Sequence, residues 1–211
     1  VQNAPHLPVH LGALGVCVRS VAAVLELAEG DIAVTNHPAF GGSHLPDVTT
    51  VAPVFVGGLR VGYVAVRAHH AEIGGTRPGS FPPDARVLAE EGVVLAPFLA
   101  MRAGSFDLAG CRARFSDAPF PSRNPDENIA DLLAQIAATR HGVTQMHALA
   151  TELGAAFPAR CAGELDRADR ALRAKLRSWP EREVHAQRQL DDGSVIRVRV
   201  ERVDDRLQID F

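Results

Sequence analysis

The sequence predicts an α+β fold: a mixed β-sheet with a buried hairpin, then an antiparallel helix pair and a C-terminal β-meander. Three observations carry this expectation. Runs rich in β-branched residues flank Gly57-Gly58, a hairpin signal. From Ile129 to Leu176 apolar residues recur at three- and four-residue steps. After Pro180, Ile196, Val198 and Val200 alternate with Arg197, Arg199 and Glu201, as in a sheet with one wet face.

Taken in order, residues 14–28 read as a helix closed by Gly30, and residues 32–35 as a short strand entering a glycine-rich loop. Residues 48–56 and 59–66 form the hairpin arms. Neither alternates cleanly, so burial on both faces is expected. Residues 81–120, broken by Pro82, Pro83, Pro97 and Pro119, read as loop-rich. Asn124 as N-cap, Pro125 in the first turn and the acidic Asp126 and Glu127 open the clearest helix, which ends near Gly154. A second helix begins near Pro158, and the short connection implies an antiparallel pair. Strands at 184–190, 194–202 and 206–211, with turns at Asp192-Gly193 and Asp204-Asp205, complete the chain. The expected divisions are a metal-site region at 1–123, a helical hairpin at 124–180 and the meander at 181–211.

Bulk properties exclude several classes. The 211 residues are 46% hydrophobic and 22% charged, with net charge −3. That balance gives neither a nucleic-acid footprint nor a polybasic membrane patch. No apolar run reaches the roughly 18–20 residues of a membrane span, and no signal-peptide pattern opens the chain. Cys17, Cys111 and Cys161 are widely spaced without a C-x-x-C, so a reducing, cytoplasmic setting is expected. The first residue is not Met and an apolar strand is running at Phe211, so the chain reads as a piece of a larger fold.

The chemistry concentrates in NHPAFGGSHLPD (36–47) and RAHHAEIGGTRPGS (67–80). His44, Asp47 and His69 make up a 2-His-1-carboxylate set, which holds a divalent ion (Mn, Zn or Fe) while leaving positions open. The hairpin count is almost sufficient to join them. With a two-residue turn, Val56 faces Leu59, Asp47 faces Ala68 and Pro46 faces His69. Strict pairing then puts Asp47 and His69 on opposite faces, and a bulge or longer turn would place them together.

Around this set, His70 and Glu72 are candidates for orienting a ligand or acting as general base. His10 either reaches the same pocket or caps the helix that follows. Arg77 and Arg123 are candidate anion clamps for substrate, with a surface ion pair as the alternative. The pairs Gly41-Gly42 and Gly74-Gly75 would let a backbone approach substrate closely. His37 is read as a substituted ligand or an ordinary loop residue.

Four motifs, HLPVHLG (6–12), GDIAVTNHPAFGGSHLPD (30–47), VRAHHAEIGGTRPGS (66–80) and DLLAQIAATRHG (131–142), occur in one order. In this the chain resembles the hydantoinase B family, which includes the C-terminal part of 5-oxoprolinases and a subunit of acetone carboxylases. The resemblance implies ATP-dependent hydrolysis of a cyclic amide, with a hydantoinase A-type subunit supplying the activated substrate and ATP bound through that partner in a hetero-oligomer. It also implies metal ligands in G-G-x-H-x-P-D and A-H-H, matching His44, Asp47 and His69. A ketone carboxylase, a non-catalytic scaffold subunit and an ATP-independent amidohydrolase are the alternatives. No G-x-x-x-x-G-K-[ST] loop occurs here, which assigns nucleotide handling elsewhere. Where relatives carry Asn-Asp-Pro-Tyr, this chain has Asn36-His37-Pro38-Ala39, a departure that bears on substrate choice.

Overall fold

A computed structural model describes residues 9–79, 82–180 and 182–211, so the motif at 6–12 lies partly outside the described residues. The chain divides into two compact units, 1–153 and 154–211. The division falls inside the expected helical hairpin. Its first helix packs on the sheet of the first unit, and its second lies in the second unit with the meander.

In the first unit, α1 (Val9–Val24) precedes β1 (Ile32–Thr35), β2 (Asp47–Val56) and β3 (Leu59–His69). α1 lies earlier than the expected 14–28, because the Asp31 carboxylate accepts from Ala28 N at 3.0 Å and from Ala103 N at 2.9 Å. That turn redirects the chain before Gly30. The stretch expected to be loop supplies α2 (Leu88–Glu91), β4 (Phe98–Arg102), β5 (Ser105–Phe106) and α3 (Leu108–Ser116). α4 (Pro125–Leu153) closes the unit.

The strand order is β3-β2-β1-β4-β5. Every pairing among the described strands is antiparallel, so the sheet is antiparallel rather than mixed. β1 is buried throughout because both faces are covered. On one face Cys17 and Val21 of α1 meet Ala33, Val51 and Ala65. On the other, Ile129, Leu132 and Ile136 of α4 join Val34, Val48 and Ala52, with Phe115 of α3. Polar ties cross this second layer: Thr50 Oγ1 to Thr139 Oγ1 at 2.7 Å, and Gln135 Nε2 to the Val48 carbonyl at 2.9 Å. Each satisfies a group that burial would otherwise leave unpaired.

The hairpin register decides the site. Val56 pairs with Leu59 and Phe55 with Arg60, but Val54 pairs with Gly62. Val61 is therefore an extra residue, a β-bulge that advances the register by one. Beyond it the pairing runs regularly to Asp47 opposite His69.

The second unit holds α5 (Phe157–Arg177) and a meander of β6 (Glu183–Gln189), β7 (Val195–Val203) and β8 (Arg206–Asp210). Arg173 and Arg177 tie α5 to Asp205 in the β7–β8 turn at 3.0 and 2.9 Å.

Candidate metal centre

Asp47 opens β2 and His69 closes β3 directly across from it, so their side chains share one face at the end of the sheet. His44 arrives from the turn just before β2, closed by a hydrogen bond from Asp47 N to the His44 carbonyl at 3.0 Å. Its Nε2 lies 3.4 Å from Asp47 Oδ2, and the His44 and His69 ring centroids are 5.0 Å apart. One ligand-type atom from each of His44, Asp47 and His69 lies within 4.8 Å of the others. An ion about 2.1 Å from each donor sets neighbouring donors about 3–3.5 Å apart. The donors therefore fit a first-row divalent ion after small side-chain adjustments.

Burial is graded across the set. Asp47 is only 3% exposed, His44 is half-buried and His69 is exposed. Such a gradient suits an ion held from below and approached from solvent. His10, at the start of α1, brings Nδ1 to 3.8 Å from the same Asp47 Oδ2.

The remaining expected residues fall elsewhere. His70 is fully buried in a separate network. Its Nε2 meets Gln135 Oε1 at 2.9 Å, its Nδ1 meets Asn128 Nδ2 at 3.2 Å, and its backbone N–H donates to the Pro46 carbonyl at 2.8 Å. Because Gln135 Nε2 donates to Val48, its oxygen faces the ring and the Nε2–H tautomer follows. Burial lowers the His70 pKa, and the neutral ring pins the end of β3 to α4. Glu72 accepts from Gly74 N at 2.9 Å, Arg123 N at 2.7 Å and Arg123 Nη1 at 2.6 Å, with Ser122 Oγ at 2.8 Å. Burial would raise its pKa, but these bonds together outweigh it and hold the carboxyl below its ordinary range.

Arg123 is therefore paired with Glu72, and Arg77 with exposed Asp84 at 2.9 Å. The glycine pairs press against the protein's own backbone. A Cβ on Gly41 would lie 2.6 Å from Cys17 N, and one on Gly42 2.3 Å from the Asn36 carbonyl. Gly74 and Gly75 abut the Phe120 and Glu91 carbonyls in the same way. His37 caps a short 3-10 turn, its Nδ1 accepting from Ala39 N at 3.0 Å.

Three contributors escaped the sequence reading. Asn36, fully buried, donates to the Leu45 and Val93 carbonyls at 2.8 Å each and accepts from Leu95 N at 2.7 Å. It fastens the loop carrying His44 to the 93–95 segment. Ser43 and Arg67 brace Asp47 and the Gly41 turn. Arg67 could have been found by its i,i+2 spacing from His69, which puts both on one face. A cleft of about 540 Å³ lies between residues 92–98 and α3, and none of the three donors lines it.

Set beside known proteins, this architecture recurs. The chain is 37% identical over 214 residues to the 5-oxoprolinase of Saccharomyces cerevisiae, matching 95% of this chain and 17% of that protein. It is 32% identical over 194 residues to the caprolactamase subunit beta of Pseudomonas jessenii, matching 83% of this chain and 30% of the subunit. The crystal structure of the ATP-dependent caprolactamase from P. jessenii superposes with a TM-score of 0.83 at 29% identity, covering 96% of this chain and 36% of that one. A nucleotide-free acetone carboxylase shares the fold, with a TM-score of 0.77 at 16% identity over 97% of this chain and 30% of that one. An α+β unit of this fold is thus found as one part of each of those two longer chains. The model of the hydantoinase B/oxoprolinase family matches residues 1–211, and the chain belongs to that family. It spans only about a sixth of the yeast 5-oxoprolinase. No helix among the described residues is long and apolar enough to cross a membrane.

Proposed function

We propose that this chain carries the metal-binding portion of an ATP-dependent hydrolase of cyclic amides, with His44, Asp47 and His69 as ligands. The observation carrying this reading is the convergence of those donors within 4.8 Å at the end of one hairpin. The names 5-oxoprolinase and caprolactamase, borne by relatives 37% and 32% identical, support a lactam as substrate. Likeness to acetone carboxylase at 16% identity bears on fold alone, so the amide reading is preferred to ketone carboxylation.

An ion of the Mn, Zn or Fe type bound here would act as Lewis acid on a carbonyl or phosphoryl oxygen and lower the pKa of bound water. The chain's own residues do the rest. Asp47 supplies the buried negative charge that retains a cation, and the two imidazoles complete a set with room for substrate. His10, beside Asp47, is positioned to exchange a proton with a group at the exposed side. His70 and Glu72 hold the segment after β3 in place from the layer beneath. ATP binding is assigned to an A-type partner or to another part of a longer polypeptide, in a cytoplasmic setting that suits free Cys17, Cys111 and Cys161.

Metal analysis of the full-length protein, with His44→Ala and His69→Ala, tests this. About one ion per chain is expected, lost in both variants together with ATP-dependent opening of 5-oxoproline, hydantoin or caprolactam. Unchanged metal content in the variants would overturn the assignment.

A further inference from the structure

Arg67 contributes no atom to the proposed ligand set, yet it touches both segments that do. It lies on β3 opposite Thr49, two residues before His69 and on the same face. Its Nε donates to Thr49 Oγ1 at 2.8 Å and its Nη2 to the Gly41 carbonyl at 2.7 Å. Its Nη1 lies 3.5 Å from Ser43 Oγ. Ser43 in turn donates to Asp47 Oδ2 at 2.6 Å, the oxygen that faces His44 Nε2.

We infer that Ser43 and Arg67 are positioning residues for the metal ligand Asp47, an inference resting on the metal reading above. A serine hydroxyl has a single proton. The guanidinium charge beside Oγ favours that oxygen as acceptor, which leaves the proton for Asp47. One lone-pair direction of Oδ2 is thereby filled, and the carboxylate is held against rotation with another left for a cation. The 3.5 Å contact is long for a hydrogen bond, so Arg67 acts on Ser43 mainly as a nearby charge. Its larger effect is mechanical. By gripping the Gly41 carbonyl it ties the turn bearing Ser43 and His44 to the strand bearing His69. A planar guanidinium grips the Thr49 hydroxyl and the Gly41 carbonyl at once while facing Ser43, and a lysine ammonium cannot reproduce that fork. Partners that orient ligands in this way typically change metal affinity by roughly 10–100-fold when removed.

The test is chelator-competition titration of the full-length protein with Zn²⁺, together with the visible spectrum of the Co²⁺-loaded form. Ser43→Ala and Arg67→Lys are expected to weaken binding roughly 10–100-fold and to move the Co²⁺ bands. Ser43→Thr, which keeps the hydroxyl, should restore both. Thr139→Val, in the α4 layer, should lower Tm and leave affinity and spectrum as in the parent. If His44→Ala abolishes binding while Ser43→Ala matches the parent in affinity and spectrum, the positioning role is wrong and the metal site stands. A parent protein that takes up no Zn²⁺ or Co²⁺ overturns both readings. Should Arg67→Lys fail to fold, the Ser43 pair still decides.

Discussion

Asp47 stands directly opposite His69 across the β2–β3 ladder, fourteen residues from Val61 along the chain, because Val61 occupies no place in the ladder. The facing of these two side chains follows from a one-residue step in register near the far end of the hairpin. Deleting Val61 removes the bulge but leaves Val54 opposite Gly62 and Asp47 opposite His69, because the ladder already passes over that residue. Residues 62–69 therefore keep their partners and their faces. The variant is expected to retain metal binding as measured by elemental analysis, with a Tm close to that of the parent. Loss of metal from a folded deletion variant would show that the local twist of the bulge, and not register, sets the site.

The glycine-rich loop responds to its packing as well as to its backbone angles. Gly41 has φ +81 and its absent Cβ would overlap Cys17 N at 2.6 Å, whereas Gly57 has φ +57 with open space around it. Gly57→Ala should cost about 1–2 kcal/mol, the ordinary penalty of a left-handed alanine. Gly41→Ala should exceed about 3 kcal/mol, since α1 must also shift. Denaturant melts of the two variants compare them directly, and equal costs would contradict the close packing.

Glu72 gives a pH signature. Its folded pKa lies below the ordinary glutamate value of 4.5 because its bonds to Ser122, Arg123 and Gly74 together outweigh burial. Between the two values the unfolded chain binds the extra proton, so stability rises with pH there. The contribution is complete above about pH 4.5 and is lost as pH falls through the folded pKa. Glu72→Gln should cost about 2 kcal/mol at neutral pH, the order of hydrogen bonds to a charged group. The gap from the parent should close on acidification. A gap independent of pH would show that the charge of Glu72 contributes nothing.

Thiol reactivity should sort the cysteines. Cys17 and Cys111 are fully buried and Cys161 is exposed. Burial pushes the Cys17 thiol up and the Cys111 thiol to about 11, with Asp107 adding to the latter. Since the thiolate is the reacting form, an alkylating reagent at neutral pH should label Cys161 quickly and the other two only after denaturation. Peptide mapping by mass spectrometry reads this. Rapid labelling of Cys17 would mean that α1 opens readily from the sheet.

Much of this was legible from local pattern. The hairpin, β1 and the helix starting at Pro125 follow from periodicity, caps and turns, and the donor set follows from residue type and spacing. Strand β4 was not legible, because its neighbour in the sheet is β1, some 65 residues earlier, and prolines around it read as loop. α3 was missed for a related reason: its buried face is only Cys111 and Phe115, too few for a period to show. Roles set by distant partners were equally hidden. Arg123 meets Glu72 from 51 residues away and His70 meets Gln135 from 65. Such pairs exist only once the sheet and α4 are stacked. Glycines 41, 42, 74 and 75 show the limit most plainly: residue type marked a close approach, but only the folded chain shows that the approach is to itself.

The bulge at Val61 also insulates one end of the ribbon from the other. Residues 57–60 lie on the outer side of that kink, with a tip where added atoms at Gly57 and Gly58 meet open space. Extra sequence spliced into this tip can be absorbed there without propagating down the ladder. The tip is thus a natural handle for a fluorophore or affinity tag, and a stretch whose length evolution can vary while the chemistry at the opposite end keeps its spacing.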